Sequence, residues 1–179
     1  MEALRRTIVL GLLPIALLAQ PIASPPPAEM KKLGWWVGEW KGEGWAEMGP
    51  DGRSAFSIHE RVQWKLDGRL LLVEGRGKSK LPGKQVEVDT HQALGVVSYD
   101  PKAQKLRFYA WRDPGGMQTE ADFKVTDGGM EWGFQTPQGH IRFTIRRTEK
   151  GEWLEIGERS LDGASWRQFL QMTLQRVQE

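Results

Sequence analysis

Hydrophobic and polar residues alternate along this chain with a period of two. Phe56, Ile58, Val62, Trp64 and Leu66 fall on one face of an extended segment, and Ser57, His59, Arg61, Gln63 and Lys65 on the other. Met130, Trp132 and Phe134 alternate with Glu131, Gly133 and Gln135, and Ile141, Phe143 and Ile145 with His140, Arg142, Thr144 and Arg146. Successive side chains of an extended backbone point to opposite faces, so this period predicts half-buried β-strands. Ten such segments are predicted, near 35–47, 54–66, 69–78, 89–99, 104–112, 117–125, 129–135, 139–148, 152–160 and 165–176. No stretch keeps a helical period over the length a helix needs, apart from one short helical turn within 28–33.

The residues between the segments are turn formers. Asp67-Gly68, Asp127-Gly128-Gly129, Lys150-Gly151 and Asp162-Gly163 tolerate the positive φ of tight hairpins. Pro50-Asp51-Gly52, Pro82-Gly83, Pro114-Gly115 and Pro137-Gln138-Gly139 mark further turns. Consecutive short hairpins favour a meander, and about ten strands are enough to close a barrel with an interior. The fold class predicted is all-β, an antiparallel up-and-down β-barrel of about ten strands with a short N-terminal helical turn.

Residues 1–24 differ from the rest. Arg5 and Arg6 precede an apolar run at residues 7–19, and small residues follow at Ala23 and Ser24. A run of that length is short for a bilayer span and matches a secretory signal peptide. Pro21 makes the cleavage site imperfect, which leaves an uncleaved membrane anchor as the alternative. Residues 25–32 are expected to be a proline-rich spacer and short turn with no packing role, and residues 33–179 the barrel domain. The domain is expected outside the cytoplasm, either periplasmic or extracellular.

Composition narrows the function classes. The chain has 179 residues and no cysteine, which excludes disulfides, thiolate zinc sites and cysteine nucleophiles. A net charge of +2 comes from near balance, and no Lys/Arg cluster tracks a phosphate backbone. Nucleic acid is therefore not expected as a partner. Nine tryptophans against two tyrosines is the unusual feature. Each tryptophan brings a large apolar surface and one N–H that needs a partner when buried.

One motif carries a resemblance. Val37-Gly38-Glu39-Trp40-Lys41-Gly42-Glu43-Gly44, together with Leu66-Asp67-Gly68, Val73-Glu74-Gly75, Ser98-Tyr99-Asp100, Glu155-Ile156-Gly157-Glu158 and Ser160-Leu161-Asp162-Gly163, resembles the calycin superfamily of lipocalins, fatty-acid-binding proteins and nitrobindin-like barrels. Within it, residues 33–175 resemble a bacterial lipocalin-like family of unknown function. The resemblance implies that Trp40 packs across the closed end of the barrel. Nitrobindin-like barrels share glycines and a tryptophan matched here by Gly38, Trp40, Gly42 and Gly44, and hold haem through a histidine on their final strand. The final predicted strand here, 165–176, has no histidine, and Gln171 stands nearest that position. No cofactor is expected.

Candidate site residues follow from strand parity. Glu60 lies between Ile58 and Val62 on an apolar face, where a carboxylate must be paired, hydrogen-bonded or shifted towards its neutral form. Glu158 shares a face with Leu154 and Ile156, which would let Glu60 and Glu158 approach across the barrel as a carboxylate pair; Arg142 is the candidate interior counter-charge, although its strand parity argues against it. His91 shares a face with Ala93, Gly95, Val97 and Tyr99, whose small members leave space beside it. His59 reads as surface and His140 as rim. The histidines have no metal-ligand spacing, and no serine sits in a nucleophile elbow. The ligand-binding residues predicted are Trp40, Glu60, Trp64, His91, Tyr99 and Glu158. No catalytic residue is assigned and no metal site is expected.

The leading reading is an exported lipocalin-like barrel that binds a small apolar or amphipathic molecule. Two others stay open. One is a barrel hydrolase or isomerase using Glu60 or Glu158 as acid and base. The other is a cavity-free envelope interaction module presenting Trp35, Trp36, Trp45 and Trp111.

Overall fold

Each alternating segment becomes a strand of one closed sheet. In the computed structural model, which describes residues 25–47, 52–80, 86–113 and 116–178, the strands are β1 (Gly38–Glu47), β2 (Arg53–Lys65), β3 (Leu70–Lys80), β4 (Glu87–Asp100), β5 (Lys105–Asp113), β6 (Met117–Thr126), β7 (Gly129–Thr136), β8 (Gly139–Arg147), β9 (Trp153–Ser160) and β10 (Arg167–Arg176). Every strand pairs antiparallel with the next, and β10 returns to pair with β1, so the meander closes. The expected leader at 1–24 and the turn residues Pro50, Asp51, Pro82, Gly83, Pro114 and Gly115 lie outside the described residues.

Closure depends on two glycines. β1 passes so near β10 that a Cβ at Gly42 would sit 2.0 Å from the Thr173 carbonyl oxygen. A Cβ at Gly44 would meet the Phe56 ring and Met172 Cβ, each at 2.7 Å. Side chains at these positions would hold the strands apart. The β6–β7 ladder is short, running from Asp122 against Gly133 to Thr126 against Gly129. Nearer the mouth, residues 117–121 and 134–136 pair only with their other neighbours, β5 and β8.

The start of the domain departs from expectation. A short helix, α1 (Ala28–Lys31), is present as predicted, but Gly34–Trp36 forms a 3-10 turn where a strand is predicted from 35. That turn drops Trp36 beneath the barrel. The presumed spacer also packs: Met30 is fully buried, and Pro26 lies against Gly68, where a Cβ would meet it at 3.3 Å. The turn after β2 differs too. Leu66, expected on the apolar face, has φ 47° and is exposed, with Asp67 at φ 52° and Gly68 at φ 84°. The left-handed backbone thus begins one residue before Asp67-Gly68, and rotates Leu66 out of the strand.

One end of the barrel is sealed by tryptophans. Trp36, Trp40 and Trp153 are almost completely buried, together with Leu33, Val62, Leu71 and Leu174. Trp153 meets Trp36 edge-on at 5.0 Å and Trp40 edge-on at 6.0 Å. The Trp40 Nε1–H donates to the Trp36 carbonyl at 2.8 Å. Arg176, the last residue of β10, lies 4.4 Å over the Trp40 ring and donates to the Trp35 carbonyl at 2.7 Å and to that of Val37. The plug ties the N-terminal turn, β1, β9 and β10 together. Removing its central ring leaves a cavity and an unpaired carbonyl, so Trp40→Ala is expected to lose about 3–5 kcal/mol in urea unfolding followed by circular dichroism. An unchanged midpoint would show that the plug does not hold the barrel.

Candidate functional site

Above the plug the barrel is hollow. The cavity has a volume of ≈ 520 Å³, with Trp36 and Trp153 at its floor. Its walls carry Phe56, Phe108, Trp132 and Phe143. Trp132 stacks on Phe143 at 4.1 Å and meets Phe108 edge-on at 5.0 Å, so one wall is a continuous aromatic surface. The mouth is polar: Ser54, Thr90, Arg112, Thr119, Thr136 and Arg159 ring it. Glu47 accepts from Arg159 at 2.8 Å and from Arg167 at 2.6 Å, which holds its carboxyl below the usual carboxylate range and joins the end of β1 to β9 and β10.

Two bulges widen the set of inward side chains. Between β3 and β4 the register shifts after Gly77, which faces His91, so that Lys78 faces Asp89 and Thr90 is the extra residue. Thr90 and His91 both reach the cavity. Between β9 and β10 the register shifts around Phe169, and Phe169 and Leu170 both line it. A bulge puts two residues opposite one and re-aims the side chains beside it.

Two carboxyl groups stand at the bottom of this apolar cavity. Glu60 is paired in register with Trp40 on one side and Gly75 on the other. A Cβ at Gly75 would lie 2.5 Å from Glu60 Oε1, so the bare glycine is the space into which that carboxyl leans. Glu60 has no hydrogen bond among the described residues, although it is only 7% exposed. Glu155 is 6% exposed and accepts one hydrogen bond, from Trp153 Nε1 at 3.1 Å. Burial pushes the Glu60 carboxyl up to about 8, and the nearby Glu155 charge adds to the shift. Burial also pushes Glu155 up to about 8, against the opposing Trp153 hydrogen bond. Both are therefore mainly neutral acids at neutral pH. The Trp36 Nε1–H is a further buried polar atom without a partner among the described residues.

His91 lies higher on the wall. A Cβ at Gly77 would be 3.2 Å from His91 Cβ and 3.3 Å from Ile58 Cδ1. Burial, and then the Arg112 charge, lower its pKa to about 4, so it is a neutral imidazole at neutral pH.

Of the residues predicted from sequence, Glu60 and His91 line the cavity. Trp40 lies below the floor, within the plug. Trp64 and Tyr99 are partly buried against the core and do not line the cavity. Glu158 is on the outer face, where it accepts from Arg142 Nε at 3.1 Å and from Arg142 Nη2 at 2.8 Å, with the Arg142 guanidinium 4.1 Å over Trp166. The expected pairing of Glu60 with Glu158 is thus replaced by Glu60 with Glu155. The reason is parity: on β9 the inward residues are Trp153, Glu155 and Gly157, while Leu154 and Ile156 face outward and are only half-buried. His59 is on the outer face, 2.6 Å from Glu39. Trp36 is buried, and Trp45 is covered by Arg53 at 3.5 Å, so these rings do not form an exposed patch with Trp111. Among the described residues no group of three or more His, Asp or Glu could hold a metal ion.

No protein-family model matches the chain, and no curated protein matches it in sequence. Solved structures share its architecture. Rv2717c from M. tuberculosis superposes with a TM-score of 0.60 at 13% identity, over 86% of this chain and 99% of that one. The S-type phycobiliprotein lyase CPES from Guillardia theta superposes with a TM-score of 0.54 at 10% identity, over 86% and 99%. These likenesses show a shared fold, the closed antiparallel barrel, and nothing of its role.

The buried acids make stability depend on pH. An acid whose folded pKa is raised keeps its proton where the unfolded chain has lost it, so its contribution is fully present below about 4.5 and falls as pH rises towards about 8. Glu60→Gln removes that liability at high pH. Relative to the native protein, the variant is expected to gain on the order of 3 kcal/mol between pH 5 and pH 9 in urea unfolding. A difference that stays constant with pH would show that Glu60 is not a buried neutral acid.

Proposed function

We propose that this protein is an exported lipocalin-like barrel that binds one small, largely apolar or amphipathic molecule in its interior. The observation that carries the reading is the aromatic cavity of ≈ 520 Å³, closed at one end and polar at the other. Cavities of about 300–1,000 Å³ with apolar walls and a few placed polar groups are the usual form of a small-molecule site. The stacked wall of Trp132 and Phe143 favours a flat or flexible apolar body. The bacterial lipocalin-like family of unknown function is the group whose motifs the sequence most resembles, and this reading agrees with that resemblance. At 10% identity to the phycobiliprotein lyase, the neighbour contributes an architecture and no activity.

Binding is read with N-phenyl-1-naphthylamine, a neutral dye that brightens in apolar surroundings. Saturable enhancement with quenching of tryptophan emission is expected. Ala110→Trp fills the cavity from an inward position on β5, and is expected to weaken dye binding at least tenfold, ~1.4 kcal/mol. Equal binding by both proteins would place the dye elsewhere and remove the support for an interior site.

The reading of residues 1–24 as an export signal rests on Arg5, Arg6 and the apolar run at 7–19. Intact-mass measurement of the protein isolated from envelope fractions is expected to give a chain that lacks this segment. A full-length chain recovered from the cytoplasmic fraction would overturn export.

A further inference from the structure

The deep end of the cavity holds more acceptor capacity than the protein uses. Glu60 is buried, points into a hollow space and has no hydrogen bond among the described residues. Glu155 uses one oxygen on Trp153. Two carboxyl groups offer about four lone-pair directions each when ionised. Among the described residues no arginine or lysine neutralises them: the arginines that line the cavity are Arg112 and Arg159 at the mouth, and Arg159 is already held by Glu47. A structural pair would be expected to carry a counter-charge or a closed network of hydrogen bonds.

We propose that this floor is a recognition site for an organic ammonium: an amphipathic amine whose nitrogen is held by Glu60 and Glu155 while its apolar body runs up the aromatic barrel. The proposal rests on the reading of the barrel as a small-molecule binder. An ammonium has three donors and no acceptor, which matches the oxygens that Glu60 and Glu155 present once one of them has lost its proton; the Trp36 Nε1–H is the one unpaired indole donor beside them among the described residues. Aromatic rings line the cavity around the floor, Trp36 and Trp153 among them, and their π-systems favour a desolvated cation over an anion. An anion at this depth would face two carboxyl groups and no cation. A bare metal ion would find too few ligands, because hard cations take six or more oxygens.

The site has a defined proton balance. The ammonium enters charged, one carboxyl of the pair gives up its proton to solvent, and the resulting carboxylate forms the ion pair. Binding therefore releases up to one proton, and affinity for the amine rises with pH up to about 8, where the carboxyls ionise unaided. The charged and titratable groups facing the cavity are Glu47 on β1, Glu60 on β2, His91 on β4, Arg112 on β5, and Glu155 and Arg159 on β9. His91 is neutral above about 4, and Glu47 and Arg159 neutralise each other, so the floor pair dominates the response.

The test compares decylamine, decanol and decanoate, which share one apolar body and differ at one end. Each displaces N-phenyl-1-naphthylamine from purified protein at pH 6 and pH 8. Decylamine is expected to bind at least tenfold more tightly than decanol at pH 8, with a smaller margin at pH 6, and decanoate most weakly. In Glu60→Gln/Glu155→Gln the amine preference is expected to vanish while decanol binding is kept, which also shows that the variant is folded. Decanol or decanoate binding as tightly as the amine, or a preference that survives the double substitution, overturns the ammonium site and leaves the binding protein intact. Failure of the dye and of all three ligands to bind overturns both.

Discussion

The tryptophan plug is the contact on which the rest of this structure depends. Trp40 is held from below by its hydrogen bond to the Trp36 carbonyl, from the side by Trp153, and from outside by the Arg176 guanidinium. These groups come from the N-terminal turn, the first strand and the last two strands. The plug is therefore formed only when the two ends of the chain meet, and it closes the sheet and seals one end of the barrel together. Because that end is sealed, the interior opens in one direction, and its deepest point is fixed beside the indole rings.

The polar groups of the interior take their properties from that position. Glu60 sits beside Trp40 in register and Glu155 is two residues beyond Trp153, so both acids border the plug, far from the polar mouth. Desolvation there is severe enough to hold carboxyls in the neutral form near pH 7. Burying two acids without a cation opposes folding, and better packing alternatives exist for a purely structural core. Gly75 sharpens the contrast: the side chain that would fill the space is missing, and the Glu60 carboxyl occupies it. A barrel built only for stability would gain by placing an apolar residue at each of these positions. The expense of keeping acids there is understandable if a ligand meets them.

Much of the fold is legible in the residue pattern, and the site is legible only in part. Period-two alternation and Gly-containing turns give ten strands and their order, whereas the place of Trp40 at the closed end follows only from the resemblance that the Gly-x-Trp run carries. Glu60 stands out because its neighbours at two-residue spacing, Ile58 and Val62, are plainly apolar. On β9 the same logic selects the wrong face. Leu154 and Ile156 are the aliphatic residues, yet they lie on the outer wall, while Trp153, Glu155 and Gly157 point inward. The usable signal was the combination of Trp153 with the small Gly157, whose bare Cα is covered by Phe143 at 2.9 Å from the position of a Cβ. The bulges at Thr90 and Phe169 are invisible to any fixed period, because an extra residue changes parity midway along a strand. The 3-10 turn at Gly34–Trp36 is hidden for another reason: two adjacent tryptophans read as strand formers until the plug that needs them is seen.

Two neutral carboxylic acids at the floor of an aromatic cavity give the barrel its character. Carbon-detected NMR titration of glutamate-labelled protein measures this directly. Two glutamate carboxyl signals are expected to titrate near 8, one lost in Glu60→Gln and the other in Glu155→Gln. Glutamate signals that all titrate close to the ordinary value of 4.5 would contradict this expectation.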